Sequence, residues 1–180
     1  MIEEKDINIE PISDKHKSFI SSFNTYEPDL KDFLVEDAIS NQNNRISKTF
    51  LMFHKANLVG YVTLLCDSLR VEGEIKGYCK SKNIPYKTLP AIKIGRLAVD
   101  DNFLKKGFGT RLLHLAYIYA KNISDNHCGC RFLILDAKRN KDSSKDSLHF
   151  YKKMNFTVLK ERFKGTTPMY FDLMIESKKF

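Results

Sequence analysis

The spacing of hydrophobic residues in the first third of the chain changes from strand-like to helix-like and back. Alternation over residues 7–12 predicts a first strand, whereas apolar residues three and four positions apart predict helices. Four apolar residues fall on one face of the second helix, namely Leu30, Phe33, Leu34 and Ala38. Asp29, just ahead of them, is the expected N-cap. The predicted elements are a strand at 7–12, a helix from 13 to before 24, a helix that opens at 27–29, and strands at 47–53 and 58–65 joined by the short connection 55–57.

The rest of the chain alternates strand-like apolar runs with amphipathic segments. The predicted elements are a central strand at 92–99, a helix at 107–121, a strand at 131–135, a helix at 143–154, and strands at 157–162 and 169–175. The apolar stripe of the helix at 107–121 comprises Phe108, Leu112, Leu115, Ala116 and Tyr119. Because a strand, a helix and a strand follow one another, strands 92–99 and 131–135 are expected to be parallel, with a right-handed crossover. Residues 67–89 are charged and weakly periodic, and we interpret them as an inserted loop.

These elements predict one mixed α/β domain over residues 1–180, with helices on both faces of the sheet. A length of 180 residues suits a single domain. No apolar run approaches the roughly 18 residues that span a bilayer, so no membrane partner is expected. The charged N-terminal residues have no apolar stretch behind them, which argues against a secretory signal peptide and predicts a cytoplasmic location.

Composition adds a preference for an anionic ligand. The net charge is +8, which suits an anionic cofactor or a polyanion such as RNA. The basic residues are dispersed, with no uninterrupted run of five, so the charge does not choose between these ligands. The four cysteines, Cys66, Cys79, Cys128 and Cys130, form no C-x-x-C pair or zinc-ligand set. They are therefore expected to be free thiols, and no metal is predicted.

Residues 94–113 form the most informative segment, in which an apolar strand leads through a loop with lysines and glycines into a helix. The first N–H groups of a helix have no partner within it, and the helix dipole favours negative charge there, so this helix start predicts a phosphate site. Gly107 and Gly109 would let a phosphate approach the backbone, and Lys105 and Lys106 add positive charge. A Walker loop and a Rossmann fingerprint are both absent. The structural alternative for the two glycines is a tight turn with close helix packing.

This loop resembles motif A of the GNAT acetyltransferases, Gln/Arg-x-x-Gly-x-Gly/Ala, whose N–H groups hold the pyrophosphate of acetyl-CoA. Gly107 and Gly109 match the motif, whereas Leu104 stands at the Gln or Arg position, so Lys105 or Lys106 is expected to replace that contact. A second segment, 149–156, resembles the family's Phe-Tyr-x-x-x-Gly-Phe, with Asn155 in place of glycine. Both residues tolerate a positive φ, so Asn155 is expected to end the helix as a left-handed cap. The resemblance extends from about residue 7 to residue 175.

The resemblance implies a mostly antiparallel GNAT-like sheet in which the fourth and fifth strands form a splayed parallel pair that receives the pantetheine arm. It implies that an amine attacks the thioester directly, that Tyr151 donates a proton to the coenzyme A sulfur, and that a backbone N–H near Leu97 or Val99 polarises the carbonyl. The alternative for Tyr151 is packing against Phe150 and Phe156. The implied acetyl-CoA-binding residues are Leu97, Ala98, Val99, Lys105, Lys106, Gly107, Phe108, Gly109, Thr110 and Arg111.

A narrower resemblance concerns the acceptor. Residues 29–34, 41–42, 48–50, 60–61 and 95–100 resemble the GNAT subgroup that contains the tRNA-acetylating toxins and also proteins of unassigned substrate. The first hypothesis is an acetyltransferase for a small or protein primary amine, and a toxin-like enzyme acting on aminoacyl-tRNA ranks second. The third is a non-catalytic acyl-CoA-binding module. A homodimer is compatible with each of them.

Three further sets of residues have candidate roles. Glu72 or Glu74 on the inserted segment, or water, would serve as the general base, although a solvated loop explains both glutamates. Arg96 interrupts an apolar strand, and we hypothesise that it is buried and pairs with Asp136; the alternative is that it lines the acceptor site. Two histidines on helices are expected to have surface or packing roles, His114 and His149.

Overall fold

A computed structural model of the chain describes residues 4–140, 146–162 and 164–175. The strands are β1 (Ile7–Pro11), β2 (Lys48–His54), β3 (Asn57–Arg70), β4 (Thr88–Val99), β5 (Phe132–Lys138), β6 (Thr157–Val158) and β7 (Thr166–Asp172). The helices are α1 (Lys17–Ser22), α2 (Pro28–Asp32), α3 (Ala38–Asn43), α4 (Gly73–Ser81), α5 (Phe108–Asn126) and α6 (Ser147–Lys153). Short 3-10 helices occupy Glu4–Asp6, Asp14–His16 and Asp101–Phe103, and the π-helix Phe33–Asp37 joins α2 to α3.

The strands form one sheet in the order β1-β2-β3-β4-β5-β7-β6. β2 is antiparallel to β1 and β3, and β7 is antiparallel to β5 and β6. β4 and β5 run parallel and are joined by α5, the kind of crossover that parallel neighbours require. The predicted mixed, mostly antiparallel sheet with a parallel β4/β5 pair is therefore confirmed, whereas the splaying of that pair stays a prediction.

The chain divides into two compact units, each built from two stretches of sequence. The first comprises 1–65 and 94–116, and the second comprises 66–93 and 117–180. The prediction of a single domain over residues 1–180 stays a prediction.

Within the first unit, β2 is buried on both faces. Leu51 and Phe53 belong to a core cluster with residues of α1, the π-helix and α3. The His54 side chain lies on the opposite face of β2 and contacts Phe108 of α5, with 5.5 Å between the ring centroids. Alternate residues of a strand point to opposite faces, so the sheet of this unit is covered by helices on both sides.

In the second unit, α4 packs on one face of the sheet through Ile75 and Cys79, which share a core cluster with Phe132 and Ile134 of β5. The interpretation of residues 67–89 as an inserted loop is therefore wrong. β3 continues to Arg70, α4 follows, and β4 begins at Thr88. The helix escapes sequence analysis because only two of its nine residues are buried, and its stability comes from packing on strands distant in sequence.

Several smaller predictions are confirmed. The connection between β2 and β3 is a two-residue turn, α1 ends before Asn24, and Asn155 follows α6 with φ +63° as a left-handed residue. Leu34 and Ala38 are fully buried, and Leu30 and Phe33 pack against the same cluster.

Other details differ from the predictions. Glu27 is the N-cap of α2 and Pro28 is its first residue, so Asp29 is not the cap.

On α5 the buried stripe includes Leu113 and Ala120, while Leu115 and Tyr119 are only partly buried. α5 extends to Asn126 and β5 to Lys138, β6 has two residues, and β7 begins three residues earlier than predicted. α6 begins at Ser147, and residues 143–145 of the predicted helix lie outside the described residues.

Candidate active site

The end of β4 packs tightly against its neighbours in the first unit. Ala98 is buried, whereas Leu97 and Val99 are partly exposed. A Cβ added at Gly60 of β3 would come within 2.6 Å of the Ala98 carbonyl oxygen and 2.8 Å of Leu112 Cδ1. Only glycine fits at this position without a shift of the backbone, so Gly60 sets how closely β3 and α5 approach the end of β4.

Helix α5 begins immediately after the predicted phosphate loop. Gly107 has φ +88°, a left-handed conformation that favours glycine, and a Cβ there would meet no atom within 4 Å. The first α-helical hydrogen bond runs from Arg111 N–H to the Gly107 carbonyl, at 3.2 Å. The N–H groups of Phe108, Gly109 and Thr110 therefore have no acceptor within the helix. They lie at the positive end of a 19-residue helix, an arrangement that suits an anion.

An aromatic cluster anchors the start of α5. Phe108 is 1% exposed, and its ring lies 5.5 Å from that of His54 and 6.0 Å from that of Phe103. Because this first helical side chain is held in the core, the N–H groups around it have a fixed position.

The two lysines of the loop have different surroundings. Lys106 Nζ donates to the Asn102 carbonyl at 2.9 Å and lies 5.0 Å from the centre of the Phe103 ring. Lys105 is exposed, has φ +59°, and has no partner among the described residues. Lys105 is thus the better candidate to replace the Gln or Arg contact missing at Leu104.

Asp100, which directly follows β4, connects the loop to the segment between α1 and α2. Its carboxylate is 5% exposed. Oδ2 accepts from Asn24 N at 2.8 Å, and Oδ1 accepts from Asn102 N at 2.9 Å and from Asn102 Nδ2 at 3.0 Å. Asp101 N donates back to the Asn24 carbonyl at 2.9 Å. From the sequence, Asp100 was expected only to end a strand. The Asp-x-Asn pattern at 100–102 is a local signal for a turn, but it does not reveal the hydrogen bond to Asn24.

Tyr151 lies on α6 in the second unit and is 8% exposed. Its ring makes edge contacts with Phe150 at 5.1 Å and Phe156 at 5.8 Å. The packing predicted as the alternative role of Tyr151 is therefore present. It does not exclude a catalytic role, because a fixed ring also gives its hydroxyl a fixed position.

The start of α6 is held by a charged cap. Asp146 Oδ1 accepts from Leu148 N at 2.9 Å, and its Oδ2 accepts from Arg139 Nε at 3.0 Å. Arg139 also donates from Nη1 to the Arg162 carbonyl at 3.0 Å. These bonds connect the helix that carries Tyr151 to the strand end of β5 and to the loop before β7.

The hypothesis of a buried Arg96–Asp136 pair is wrong in its premise. Arg96 is exposed, its guanidinium carbon lies 5.1 Å from the centre of the Phe33 ring, and Nη1 donates to the Gly95 carbonyl. Asp136 pairs instead with Lys93 at 2.8 Å. The Lys93 side chain points out of the strand toward two carboxylates, the second being Asp67 at 3.5 Å. Arg96 in the acceptor site stays a prediction.

The proposed general bases belong to α4. Glu72 is its N-cap residue and Glu74 lies in its first turn, so neither sits on a solvated loop. A role for either as the base stays a prediction.

All four cysteines are free thiols, as predicted. Across residues 4–140, 146–162 and 164–175, no group of three or more His, Cys, Asp or Glu side chains is arranged to hold a metal ion. None of the described helices is long and apolar enough to span a bilayer.

The family model for the acetyltransferase (GNAT) domain matches residues 47–158, more than half of the chain. The chain belongs to the GNAT acetyltransferase family. The matched range includes the loop before α5 and Tyr151, so the family resemblance carried by these two segments is confirmed, and the protein is an acetyltransferase.

The chain is similar to a tRNA-acetylating toxin and to solved structures of KacT and AtaT. The tRNA-acetylating toxin of Mycobacterium tuberculosis (strain ATCC 25618 / H37Rv) is 25% identical over 160 residues, 89% of this chain and 88% of the toxin. A tyrosine-to-phenylalanine mutant of KacT has a TM-score of 0.77 at 21% identity, covering 94% of this chain and 96% of KacT. AtaT complexed with acetyl-methionyl-tRNAfMet has a TM-score of 0.74 at 22% identity, with the same coverage. The shared fold is that of the GNAT toxins.

Proposed function

We propose that this GNAT protein transfers an acetyl group from acetyl-CoA to the α-amino group of an aminoacyl-tRNA. The observation that carries the proposal is the similarity to a tRNA-acetylating toxin over 89% of the chain. It reverses the order of the hypotheses from the sequence, in which a small or protein amine came first. The net charge of +8 supports a polyanionic acceptor, since each phosphate contact by Lys or Arg adds sequence-independent affinity.

The acid–base chemistry of the acceptor also favours an α-amine. The attacking nitrogen must be neutral. A lysine amine with a pKa of about 10.4 is neutral in roughly 0.1% of molecules near pH 7.5, whereas an α-amine with a pKa of about 7.7–8.0 is neutral in roughly a third. An α-amino acceptor therefore needs much less help from a base than a lysine or polyamine does.

The residues around the start of α5 fit the pyrophosphate of acetyl-CoA. The crystal structure of AtaTR bound with AcCoA supports acetyl-CoA as the acetyl donor. It is 24% identical to this chain, with a TM-score of 0.74 over 94% of this chain and 95% of that one. Phe108, Gly109 and Thr110 would donate their N–H groups to phosphate oxygens, and the space beside Gly107 would leave the approach open. Lys105 would add a cation, and Arg111 lies one turn into the helix. The backbone of Leu97, Ala98 and Val99 would pair with the pantetheine arm.

Acetyl-CoA supplies the reactive thioester. The acceptor nitrogen attacks its carbonyl carbon, the new N–C bond forms, and the C–S bond breaks. Tyr151 would give its hydroxyl proton to the departing sulfur, and the excess proton of the amine would pass to water. A phenol is protonated at neutral pH, so a tyrosine hydroxyl at this position can act as the acid.

The test is acetyl transfer from radiolabelled acetyl-CoA to enzymatically charged tRNA. The same tRNA after removal of the amino acid, and free amines and peptides, serve as matched acceptors. We expect label only in charged tRNA, released by mild base as N-acetyl amino acid. Label in polyamines or peptides but not in charged tRNA would overturn the proposed acceptor. Acetyl-CoA binding without transfer to any acceptor would instead favour the non-catalytic module.

A further inference from the structure

The second unit contains a cavity of about 390 Å³ between α4, the start of β5 and the end of β7. This volume falls in the range of roughly 300–1,000 Å³ that is typical of small-molecule sites. Its chemical character comes from six side chains: Glu74, Tyr78, Arg131, Phe132, Tyr170 and Asp172. Apart from Glu74, one of the two candidate general bases, none of the residues assigned to acetyl-CoA or to acetyl transfer lines it.

The guanidinium in the cavity is already neutralised. Arg131 Nη2 donates to Asp172 Oδ2 at 2.7 Å, and its Nε lies 3.2 and 3.3 Å from the two carboxylate oxygens. Both side chains are less than one-fifth exposed. Burial lowers the pKa of Arg131, but hydrogen bonds to Asp172 and Tyr78 outweigh it and raise that pKa above the usual value. The Arg131–Asp172 ion pair therefore has no net charge and a fixed geometry.

Glu74 gives the cavity a net negative charge. Among the charged lining residues there are two carboxylates and one guanidinium, and Asp172 is taken by Arg131. Glu74 has no ion-pair partner among the residues that the structure describes. The cavity therefore carries one net negative charge on a protein whose total charge is +8, which argues against an anion as its ligand.

Aromatic rings form the walls beside Glu74. The Arg131 guanidinium covers one face of Tyr78, at 4.0 Å from the ring centre. Tyr170 stands edge-on to Phe132 at 5.7 Å. Glu74 and Tyr170 line the same cavity. Burial raises the pKa of the Tyr170 phenol, and the Glu74 carboxylate raises it further. A carboxylate beside aromatic rings is the combination that recognises ammonium groups.

We propose that this cavity is a binding site for a small alkylammonium compound, whose cationic head lies between Glu74 and the rings of Tyr78 and Tyr170. Glu74 supplies the counter-charge, and the Tyr170 ring supplies cation–π attraction. Tyr78, one face of which Arg131 already covers, supplies apolar contact. The Arg131–Asp172 pair shapes the wall and holds Tyr78 in place. The site does not depend on the acceptor proposed above, because the transfer proposed there passes the proton of the amine to water and needs none of these residues.

The test uses choline as the probe and 3,3-dimethylbutan-1-ol as its neutral isostere. Spectra of the full chain with ¹³C-labelled tyrosine rings would be recorded during titration, since only two of the eight tyrosines are expected to respond strongly. We expect saturable shifts at Tyr78 and Tyr170 with choline, and at least roughly fivefold weaker binding of the isostere. Equal binding of the two compounds, or shifts confined to other tyrosines, would overturn the proposal.

Two variants at Glu74 make the test specific. Glu74→Gln should weaken choline binding by about threefold to fivefold, because an exposed charge pair is worth little more than that. Glu74→Lys should abolish binding, since it places a competing ammonium in the cavity. Both changes lie on the exposed side of a helix turn, so the fold should survive. Glu72→Gln, two residues earlier and outside the cavity, should bind choline like the wild type. Wild-type affinity in both Glu74 variants would show that the charge of Glu74 plays no part and would contradict the proposal.

Discussion

Replacing Asp100 by Asn should loosen the connection between the proposed phosphate loop and the segment between α1 and α2. The carboxylate accepts three hydrogen bonds, two of them from the backbone N–H groups of Asn24 and Asn102. Asparagine offers one acceptor oxygen and puts an NH₂ donor in place of the other oxygen. If its oxygen keeps the Asn102 bonds, the new NH₂ faces Asn24 N–H, and a part-buried donor loses its acceptor.

The magnitude follows from these bonds. An unsatisfied buried donor costs about 1–3 kcal/mol, and the retained bonds lose the extra strength of a charged acceptor, roughly 1 kcal/mol. We therefore expect the free energy of unfolding to fall by about 2–4 kcal/mol. At roughly 2–4 °C per kcal/mol for a chain of this length, the melting temperature should fall by roughly 4–16 °C.

Urea unfolding and acetyl-CoA calorimetry would test this prediction together. Asp100→Asn should also bind acetyl-CoA more weakly, because the loop keeps only the Asp101 N–H bond to Asn24 and loses the carboxylate bond. Asp14→Asn is the matched control, since Asp14 is exposed and makes only a surface pair with Lys17; its stability should change by about 0.5 kcal/mol or less. If Asp100→Asn matches this control in both stability and affinity, the carboxylate does not hold the loop, and the argument fails.

Three further predictions concern the site and the thiols. Gly109→Val should weaken acetyl-CoA binding in a folded protein, because the branched side chain would project into the proposed phosphate site; unchanged affinity by calorimetry would exclude the assignment. Tyr151→Phe should lower kcat by about 10²–10⁴-fold with near-normal acetyl-CoA binding and melting temperature; full turnover where chemistry is rate-limiting would make Tyr151 a packing residue. Iodoacetamide should label exposed Cys66 in the native protein and spare Cys130, whose thiol pKa is raised by burial; mass spectrometry showing equal labelling would contradict the described burial.

Much of the candidate site could be predicted from the sequence because its determinants are local. Gly107 and Gly109 at a strand-to-helix junction are sufficient to predict a backbone anion site, since helix geometry alone leaves the first N–H groups without partners. The left-handed conformation of Asn155 was predictable for the same reason: few residues tolerate a positive φ after a helix. The order of strands and helices follows from hydrophobic spacing, which a short window records.

Contacts between distant segments were decided only by the tertiary structure. α4 looks like a charged loop in the sequence because its two buried residues matter only when β5 lies against them. Asp100 meets Asn24 across 76 residues, and Gly60 is required by the position of the Ala98 carbonyl. Arg96 appeared to need a buried partner because its strand is apolar, yet its side chain reaches the surface over Phe33. Local patterns determine which elements form, whereas pairing, burial and charge compensation depend on which elements meet in space.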